Sequence, residues 1–292
     1  PSYTFGLSVI HSHMLVGATV AVTNKSFFEK EFWNFIRDVN VTSLSGVPYH
    51  FEILKRLRFF KMDFSDLRTL TQAGGKMDPQ QTREFAEYCT SNGMRFFSMY
   101  GQAEATARIS YLPWQKSASK AGSIGNAIPG GRLWLETDTG QIINDCDVEG
   151  ELVYEGPNVS MGYAESLNDL SKADERNGVL HTGDLATYDK DGDFFIVGRL
   201  KRFLKLFGHR VNLVDVEKFL SKLGYDAVCA GKDDALEVYA TDLSAQQGIE
   251  IKKQIVDYLH IAPSGVKVIA LKEIPRNESG KVQYGFLNAK MG

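Results

Sequence analysis

The stretch MRFFSMYGQAE, residues 94–104, runs from an apolar segment directly into a glycine turn that carries polar side chains. Its apolar half has the length and composition of a buried strand. Parallel sheets bind ligands at the carboxyl ends of their strands, which is where Tyr100, Gln102 and Glu104 fall. The stretch therefore predicts a parallel sheet with a ligand site at the end of this strand.

Two amphipathic helices and three strand-like runs fill most of the first 122 residues. One helix is predicted from the Asp78-Pro79 cap to Asn92-Gly93. The other follows a Ser26/Glu29 capping box, and residues at helical spacing give it an apolar face: Phe28, Phe32, Phe35, Ile36 and Val39. The strand-like runs are residues 41–47, 68–73 and 94–99. This alternation favours a parallel sheet covered by helices.

After residue 122 the pattern changes to short alternating segments separated by glycine turns: residues 132–136, 150–154, 179–188 and 193–197. We expect an α/β fold: a parallel sheet with helices, an antiparallel β-barrel-like subdomain, and a small α+β carboxy-terminal domain. The predicted boundaries are a partial α/β subdomain at 1–122, an antiparallel β subdomain at 123–199 and the small α+β domain at 200–292. In the last of these, we predict a helix capped by Asn212 and strands at 226–230, 235–240 and 266–271.

Composition and charge exclude several classes of protein. Hydrophobic residues make up 43% of the chain and charged residues 24%, as in ordinary folded proteins. The formal net charge of −3 predicts no nucleic-acid or anionic-membrane partner. No uncharged apolar run reaches the roughly 20 residues of a membrane span. Three widely separated cysteines, in no metal-binding spacing, favour a cytoplasmic location.

Three other motifs have ordinary structural interpretations. Residues 189–193, DKDGD, alternate carboxylates, but the glycine comes too early for a calcium loop, and the run predicts a hairpin turn. Residues 279–281, SGK, lack the first glycine of a phosphate-binding loop, because Pro275 stands in its place. The basic residues between Arg199 and Arg210 are consistent with either a solvated strand face or a ligand site.

Two glycine-containing turns could contact a nucleotide. The run AGGK at 73–76 follows a predicted strand and precedes a capped helix, an arrangement that directs backbone amides at an anion. The run HTGD at 181–184 places a carboxylate at a turn, where it could accept hydrogen bonds from the hydroxyls of a ribose. Each motif is weak evidence by itself.

Taken together, the motifs resemble those of the adenylate-forming superfamily, which includes acyl-CoA synthetases, aryl-CoA ligases, luciferases and peptide-synthetase adenylation domains. The resemblance spans nearly the whole chain. Its motifs are AGG at 73–75, YGQAE at 100–104, GEL at 150–152, GY at 162–163, HTGD at 181–184, GR at 198–199, Lys205, GHR at 208–210 and PRNESGK at 275–281.

The resemblance implies a two-step reaction that uses ATP, Mg²⁺ and coenzyme A. A small-molecule carboxylic acid attacks the α-phosphate of ATP to give an acyl-AMP, and a thiol then displaces AMP. The thiol would belong to CoA or to the pantetheine of a carrier protein.

The resemblance also implies roles for particular residues. Lys281 would bridge the substrate carboxylate and the α-phosphate, Glu104 would be the metal ligand for Mg²⁺, and Lys205 would act in the thioester step. Lys201 matches the hinge about which the small domain of such enzymes rotates. The implied nucleotide- and CoA-binding residues are Gly74, Gly75, Tyr100, Gly101, Gln102, Ala103, Asp184, Ile196, Arg199 and Gly208.

This sequence departs from the superfamily pattern at three places. Ala103 replaces a threonine whose hydroxyl would contact the α-phosphate, a bond worth about 1.5–3 kcal/mol. Tyr3 stands where many members have a substrate-gating histidine. The Ser/Thr/Gly-rich phosphate loop is absent from the 292 residues, so we expect the carboxy-terminal part of such an enzyme. The sequence leaves open whether the isolated chain catalyses adenylation.

Three functional hypotheses follow. The first is an ATP-dependent acyl- or aryl-CoA synthetase, the second a carrier-protein-loading adenylation enzyme, and the third a catalytically silent nucleotide-binding fragment. Residues 45–49, SGVPY, together with the segment before Gly74, are an uncharged and partly aromatic candidate pocket lining. They favour a fatty or aromatic acid over an amino acid.

Overall fold

A computed structural model of the protein describes residues 4–207, 209–241, 243–276, 282–284 and 287. It divides into two compact units, Pro1–Val197 and Gly198–Gly292. The helices are α1 (Thr4–Leu15), α2 (Lys30–Asp38), α3 (Pro48–Arg56), α4 (Pro79–Ser91), α5 (Leu213–Lys222) and α6 (Ala245–Leu259). The strands are β1 (Ser43–Gly46), β2 (Thr69–Gln72), β3 (Arg95–Tyr100), β4 (Ser110–Leu112), β5 (Asn126–Ala127), β6 (Arg132–Glu136), β7 (Ile142–Ile143), β8 (Gly150–Glu155), β9 (Val179–Tyr188), β10 (Phe194–Arg199), β11 (Phe203–Leu206), β12 (His209–Asn212), β13 (Ala227–Lys232), β14 (Ala235–Thr241) and β15 (Val266–Leu271).

The first unit contains a five-stranded sheet in the order β1-β2-β3-β4-β5. Strands β1, β2 and β3 are parallel, with Leu44 opposite Leu70 and Leu70 opposite Phe96. Strands β4 and β5 are antiparallel to their neighbours. The predicted parallel sheet with helices is therefore confirmed, and residues 101–104 follow the carboxyl end of β3.

Aromatic side chains form the centre of the core beside this sheet. Phe51 of α3, Phe85 of α4 and Phe96 of β3 are each at most 1% exposed. The ring of Phe51 lies edge-on to both others, with centroid distances of 5.0 Å to Phe85 and 5.6 Å to Phe96. Such edge-to-face contacts add stability beyond the apolar area they bury. These three rings pack α3 and α4 against β3, the strand that ends at the predicted site.

The predicted apolar face of α2 is correct only in its middle. Phe32 and Ile36 are buried, but Phe28 is 61% exposed and Val39 is 46% exposed. The Ser26 amide does donate to the Glu29 carboxylate, at 2.6 Å. However, Glu29 itself is the N-cap, so the helix begins at Lys30, after the capping box. Phe28 precedes the helix, and Val39 follows its last residue, Asp38.

We predict that Phe85→Ala lowers the free energy of unfolding of the first unit by about 3–5 kcal/mol, because it leaves a cavity among rigid aromatic neighbours. Phe28→Ala is the matched control, and its exposed side chain should change stability by less than about 0.5 kcal/mol. Urea unfolding followed by tryptophan fluorescence measures both. Equal losses in the two variants would contradict this account of the core.

The second sheet of the first unit has the order β10-β9-β8-β6-β7. Strands β6 and β9 have the predicted bounds, and the pairs β6–β7, β6–β8 and β8–β9 are antiparallel. Within the described residues this sheet does not close into a barrel. The antiparallel sheet is confirmed, but its predicted barrel-like form is not.

The turn at residues 189–193 joins β9 to β10, as predicted for a hairpin. Lys120 lies between two of its carboxylates, with its ammonium 2.5 Å from both Asp189 and Asp191. The third, Asp193, is fully buried and accepts from Lys116 at 2.9 Å. Lysine ammonium groups thus balance the charge of this acidic run.

The second unit has a β11–β12 hairpin and a three-stranded sheet in the order β13-β14-β15. Strands β13 and β14 are antiparallel, whereas β14 and β15 are parallel. The side chain of Asn212 accepts from the Val214 amide at 3.0 Å and so caps α5, as predicted. Helices α5 and α6 pack on the sheet through Val216, Leu220, Ile251 and Ile255, all fully buried. This is the small α+β arrangement expected from the sequence.

None of the described helices is both long and apolar enough to cross a membrane. The three cysteines are free thiols, with Cys89 and Cys229 buried and Cys146 exposed. Burial raises the pKa of the Cys89 thiol to about 12, which keeps it protonated and unreactive.

Candidate functional site

Three predicted site residues meet where β3 ends. The Tyr100 hydroxyl donates to the Asp184 carboxylate at 2.5 Å, and the Gln102 side-chain amide donates to the same oxygen at 2.9 Å. The Gln102 amide also lies 2.9 Å from the Thr182 carbonyl and 3.1 Å from the Tyr100 hydroxyl. Residues 84 apart in the chain therefore form one polar cluster, joining the end of β3 to the middle of β9.

The carboxylate at the centre of this cluster is buried, which strengthens its electrostatic interactions. Asp184 is only 2% exposed. Burial, together with the neighbouring Asp184 carboxylate, raises the pKa of Tyr100 well above its ordinary value. Tyr100 therefore remains a phenol that donates its proton in the hydrogen bond.

Thr182 fixes the backbone of β9 beside this carboxylate. Its hydroxyl donates to the Leu152 carbonyl of β8 at 2.6 Å and accepts from the Asp184 amide at 3.1 Å. The neighbouring Gly183 has φ +68° and donates its amide to Glu151 at 3.0 Å. These hydrogen bonds hold the irregularity in the β8–β9 pairing at which Asp184 lies.

The Gly74-Gly75 turn after β2 accepts a hydrogen bond from a buried glutamine. The Gln72 side chain is 2% exposed and donates to the Gly75 carbonyl at 2.8 Å. Its carbonyl oxygen accepts from Ser98 of β3 at 3.3 Å. Gly74 has φ +80°, a conformation that glycine adopts without strain.

Lys76 joins this turn to the second sheet, since its ammonium donates to the Ile196 carbonyl of β10. The predicted nucleotide-binding positions Gly74, Gly75 and Ile196 are thus connected through one side chain and belong to the same unit. Their predicted contacts with a nucleotide stay predictions.

Glu104 follows Ala103 in a short 3₁₀ turn, Ala103–Ala105. Its carbonyl accepts from the Ser160 amide at 2.8 Å, and its carboxylate accepts from the Tyr163 hydroxyl. This hydrogen bond raises the pKa of Tyr163, because ionising the phenol would place two negative charges side by side. Among the described residues, no group of three or more His, Cys, Asp and Glu side chains could hold a metal ion.

Asn158 holds the backbone after Glu104, a role that the sequence did not indicate. Its amide donates to the carbonyls of Ala105, at 2.6 Å, and Arg108, at 2.9 Å. Its side-chain oxygen accepts from the Tyr154 hydroxyl at 2.7 Å. Two non-glycine residues between these carbonyls, Thr106 and Ala107, have left-handed backbones with φ of +50° and +74°. The asparagine stabilises this strained turn.

Gly101 is required by the same turn, because the chain folds back onto it. A Cβ atom at Gly101 would lie 1.5 Å from the Ala107 carbonyl oxygen. Only a residue without a side chain allows the two backbone segments to approach so closely.

We predict that Gly101→Ala lowers the free energy of unfolding by about 3 kcal/mol or more, since backbone must move to relieve the overlap. The comparison variant is Gly140→Ala, which has open space around it but φ +76°, so its cost is limited to about 1–2 kcal/mol of backbone strain. Urea unfolding of both variants is the measurement. A smaller loss at Gly101 than at Gly140 would refute the close approach.

The predicted site residues of the second unit are described only in part. Lys205 is exposed in β11, and its amide donates to Asp233 at 2.8 Å. Arg199 ends β10, and Lys201 lies in the turn Leu200–Arg202. The positions predicted for Gly208 and Lys281, and also Tyr3, lie outside the described residues.

Arg276 and Val282 form an antiparallel bridge, and the Gln283 amide donates to the Pro275 carbonyl at 2.9 Å.

The structure thus brings Tyr100, Gln102 and Asp184 together and places Glu104 in the turn that follows β3. The sequence did not predict that Gln72, Asn158 and Lys76 support these turns. Only the polar character of Gln72, in an otherwise strand-like run, could have indicated its role. The Asn158 amide donates to the carbonyls of Ala105 and Arg108, which lie 53 and 50 residues earlier in the chain, and one sequence contains no signal for such contacts.

Residues 1–164 match the family model described as AMP-binding enzyme. Luciferin 4-monooxygenase of Photinus pyralis is 28% identical to this chain over 290 residues, which cover 95% of the chain and 52% of the relative. The 2-succinylbenzoate–CoA ligase of Bacillus cereus is 27% identical, with 95% and 57% covered. Peroxisomal OPC-8:0-CoA ligase 1 of Arabidopsis thaliana is 27% identical, with 96% and 53% covered. The chain spans about half the length of these curated relatives.

Solved structures of similar enzymes also match most of the chain. The o-succinylbenzoate CoA synthetase of Bacillus subtilis, in complex with the acyl-adenylate intermediate OSB-AMP, has a TM-score of 0.75 and 25% identity, and the match covers 98% of this chain and 58% of that one. The same enzyme with ATP and a magnesium ion has a TM-score of 0.72 and 26% identity, with 96% and 58% covered. The amide bond synthetase McbA of Marinactinospora thermotolerans has a TM-score of 0.73 at 19% identity, with 98% and 59% covered, which supports the fold alone.

Proposed function

The chain belongs to the AMP-binding enzyme family, and we propose that it acts in an ATP-dependent acid–thiol ligase that makes an acyl- or aryl-CoA thioester through an acyl-AMP intermediate. The observation that carries this proposal is the cluster of Tyr100, Gln102 and Asp184 at the end of β3, with Glu104 in the following turn. It provides a buried carboxylate suited to ribose hydroxyls and a second carboxylate two residues beyond Gln102.

The nucleotide is proposed to bind along these turns. Asp184 accepts hydrogen bonds from the ribose hydroxyls, and Tyr100 flanks the adenine with Gln102 at its edge. Gly74 and Gly75 offer backbone that a nucleotide can approach closely. The remaining proposed contacts are Gly101, Ala103, Ile196, Arg199 and, for the pantetheine arm of CoA, Gly208.

Glu104 is proposed to hold Mg²⁺ together with the phosphates of ATP. Proteins bind Mg²⁺ through one or two carboxylates plus substrate phosphates, so a single carboxylate in this turn fits such an ion. When bound, the ion neutralises the negative charge that collects on the phosphates.

The proposed chemistry has two steps. In the first, a carboxylate oxygen of the acid bonds to the α-phosphorus, and the bond from phosphorus to pyrophosphate breaks. The Lys281 ammonium is proposed to offset the charge of the two reacting anions. In the second, a thiolate attacks the acyl carbon, and AMP leaves with the bonding electrons. Residues 200–292 are proposed to rotate about Lys201 between the steps, so that Lys205 replaces Lys281 at the nucleotide.

The acid and the compartment belong to the same proposal. CoA ligases among the relatives support CoA as the acceptor, and the uncharged residues 45–49 support a fatty or aromatic acid. A cytoplasmic location fits three free thiols in the chain.

The test of this function is pyrophosphate exchange into ATP, measured in the native protein with a panel of fatty and aromatic acids. We expect exchange that depends on the acid, followed by thioester formation when CoA is added. Thioester formed only with a holo carrier protein would instead establish the carrier-loading activity. If AMP does not bind in calorimetry and no acid supports exchange, the protein is a silent module and the proposed function is wrong.

Two lysine variants separate the steps. Lys281→Ala should abolish acyl-AMP formation, because nothing then offsets the charge of the approaching anions. Lys205→Ala should leave pyrophosphate exchange unchanged and slow only the release of AMP by CoA. The exchange rate and the single-turnover rate of preformed acyl-AMP with CoA measure the two steps. Equal losses in both steps for both variants would contradict this division.

A further inference from the structure

Tyr163 contacts the carboxylate of Glu104 although it is itself 66% exposed. Its hydroxyl donates to one carboxylate oxygen, Oε1. Three residues earlier, the Ser160 amide donates to the Glu104 carbonyl at 2.8 Å. The segment from Ser160 to Tyr163 therefore runs alongside Glu104 and contacts both its backbone and its side chain.

Arg176 keeps Tyr163 in this position. Its guanidinium carbon lies 4.8 Å from the centre of the tyrosine ring, within the range of a cation–π contact. The same guanidinium donates to the Ser160 hydroxyl and, at 3.4 Å, to its carbonyl. The Glu175 amide donates to the Met161 carbonyl at 2.8 Å, which closes the loop between these residues.

These contacts have a chemical consequence for a carboxylate that binds a metal. A carboxylate that turns freely must lose that freedom when one of its oxygens coordinates an ion. A donor on one oxygen fixes the plane of the group in advance and leaves its charge intact. Hydrogen-bond partners that orient ligating side chains typically contribute 10–100-fold to metal affinity.

We propose that Tyr163 is a positioning residue, which orients the Glu104 carboxylate for the Mg²⁺ ion of the nucleotide, and that Arg176 holds the tyrosine in place. This inference rests on the proposed function, because it requires Glu104 to be a metal ligand. It adds a residue that acts through Glu104 without touching the metal or the nucleotide.

The opposite hypothesis is that the hydroxyl competes with the metal for the carboxylate. The two hypotheses predict opposite signs for one variant. If Tyr163 orients Glu104, its removal weakens the contribution of Mg²⁺ to ATP binding. If it competes, its removal strengthens that contribution.

The experiment is calorimetric titration of the native protein with ATP, once with Mg²⁺ and once with EDTA. The dissociation constant of ATP in EDTA, divided by that with Mg²⁺, measures how much the metal contributes to ATP binding. In Tyr163→Phe, which deletes the hydroxyl and keeps the ring for Arg176, we expect this ratio to fall about tenfold. The affinity in EDTA should not change, because Tyr163 acts only through the metal ligand.

Two further variants make the result specific. Arg176→Gln leaves the tyrosine hydroxyl present but removes the cation above its ring, and the ratio should fall by about threefold, less than in Tyr163→Phe. Tyr258→Phe is the control. This tyrosine is also exposed, and its ring stacks on that of Phe219 with 4.2 Å between the ring centroids. Its ratio should equal that of the wild type.

An unchanged or increased ratio in Tyr163→Phe would overturn the inference and leave the proposed function standing. Wild-type protein that binds ATP equally well with and without Mg²⁺ would overturn the metal role of Glu104 and this inference together. Wild-type protein that does not bind ATP at all would overturn the proposed function itself.

Discussion

The hydrogen bonds that Asp184 accepts from Tyr100 and Gln102 connect the two sheets of the first unit. A carboxylate that is 2% exposed is stable only if donors replace the water it has lost. Those donors lie at the end of β3, so β9 must pass close to that end for the charge to be satisfied. The location of the candidate site follows from this one requirement.

The turns around the cluster are shaped by packing against distant backbone. The Gly74-Gly75 turn depends on the Gln72 side chain, and the turn after Glu104 depends on Asn158. In both cases a side-chain amide satisfies carbonyls that no strand or helix pairs. Such supports cost little in a buried site, because each hydrogen bond replaces one that water would have made.

The segment that contains Tyr163 and Arg176 shows a different kind of order. It is largely exposed, yet Arg176 contacts both the ring of Tyr163 and the carbonyl of Ser160. Its stability therefore depends on polar contacts near Glu104. Because the Tyr163 hydroxyl donates to the Glu104 carboxylate, this surface segment contacts the candidate site directly.

The sequence by itself determined the local elements and the motifs. The bounds of β6, β9 and β15 could be predicted because alternating side chains and glycine turns are properties of neighbouring residues. The motif at 100–104 could likewise be placed at the end of a strand. The predicted apolar face of α2 is too long at both ends, because Glu29, not Ser26, is the N-cap and the helix ends at Asp38, before Val39.

Only the tertiary structure decided which side chains meet. Asp184 and Tyr100 are 84 residues apart, and their contact depends on how two sheets pack. The roles of Gln72 and Asn158 arise because folding leaves particular carbonyls unpaired. Local patterns follow from the chemistry of adjacent residues, whereas a site requires burial, and burial exists only once separate segments have come together.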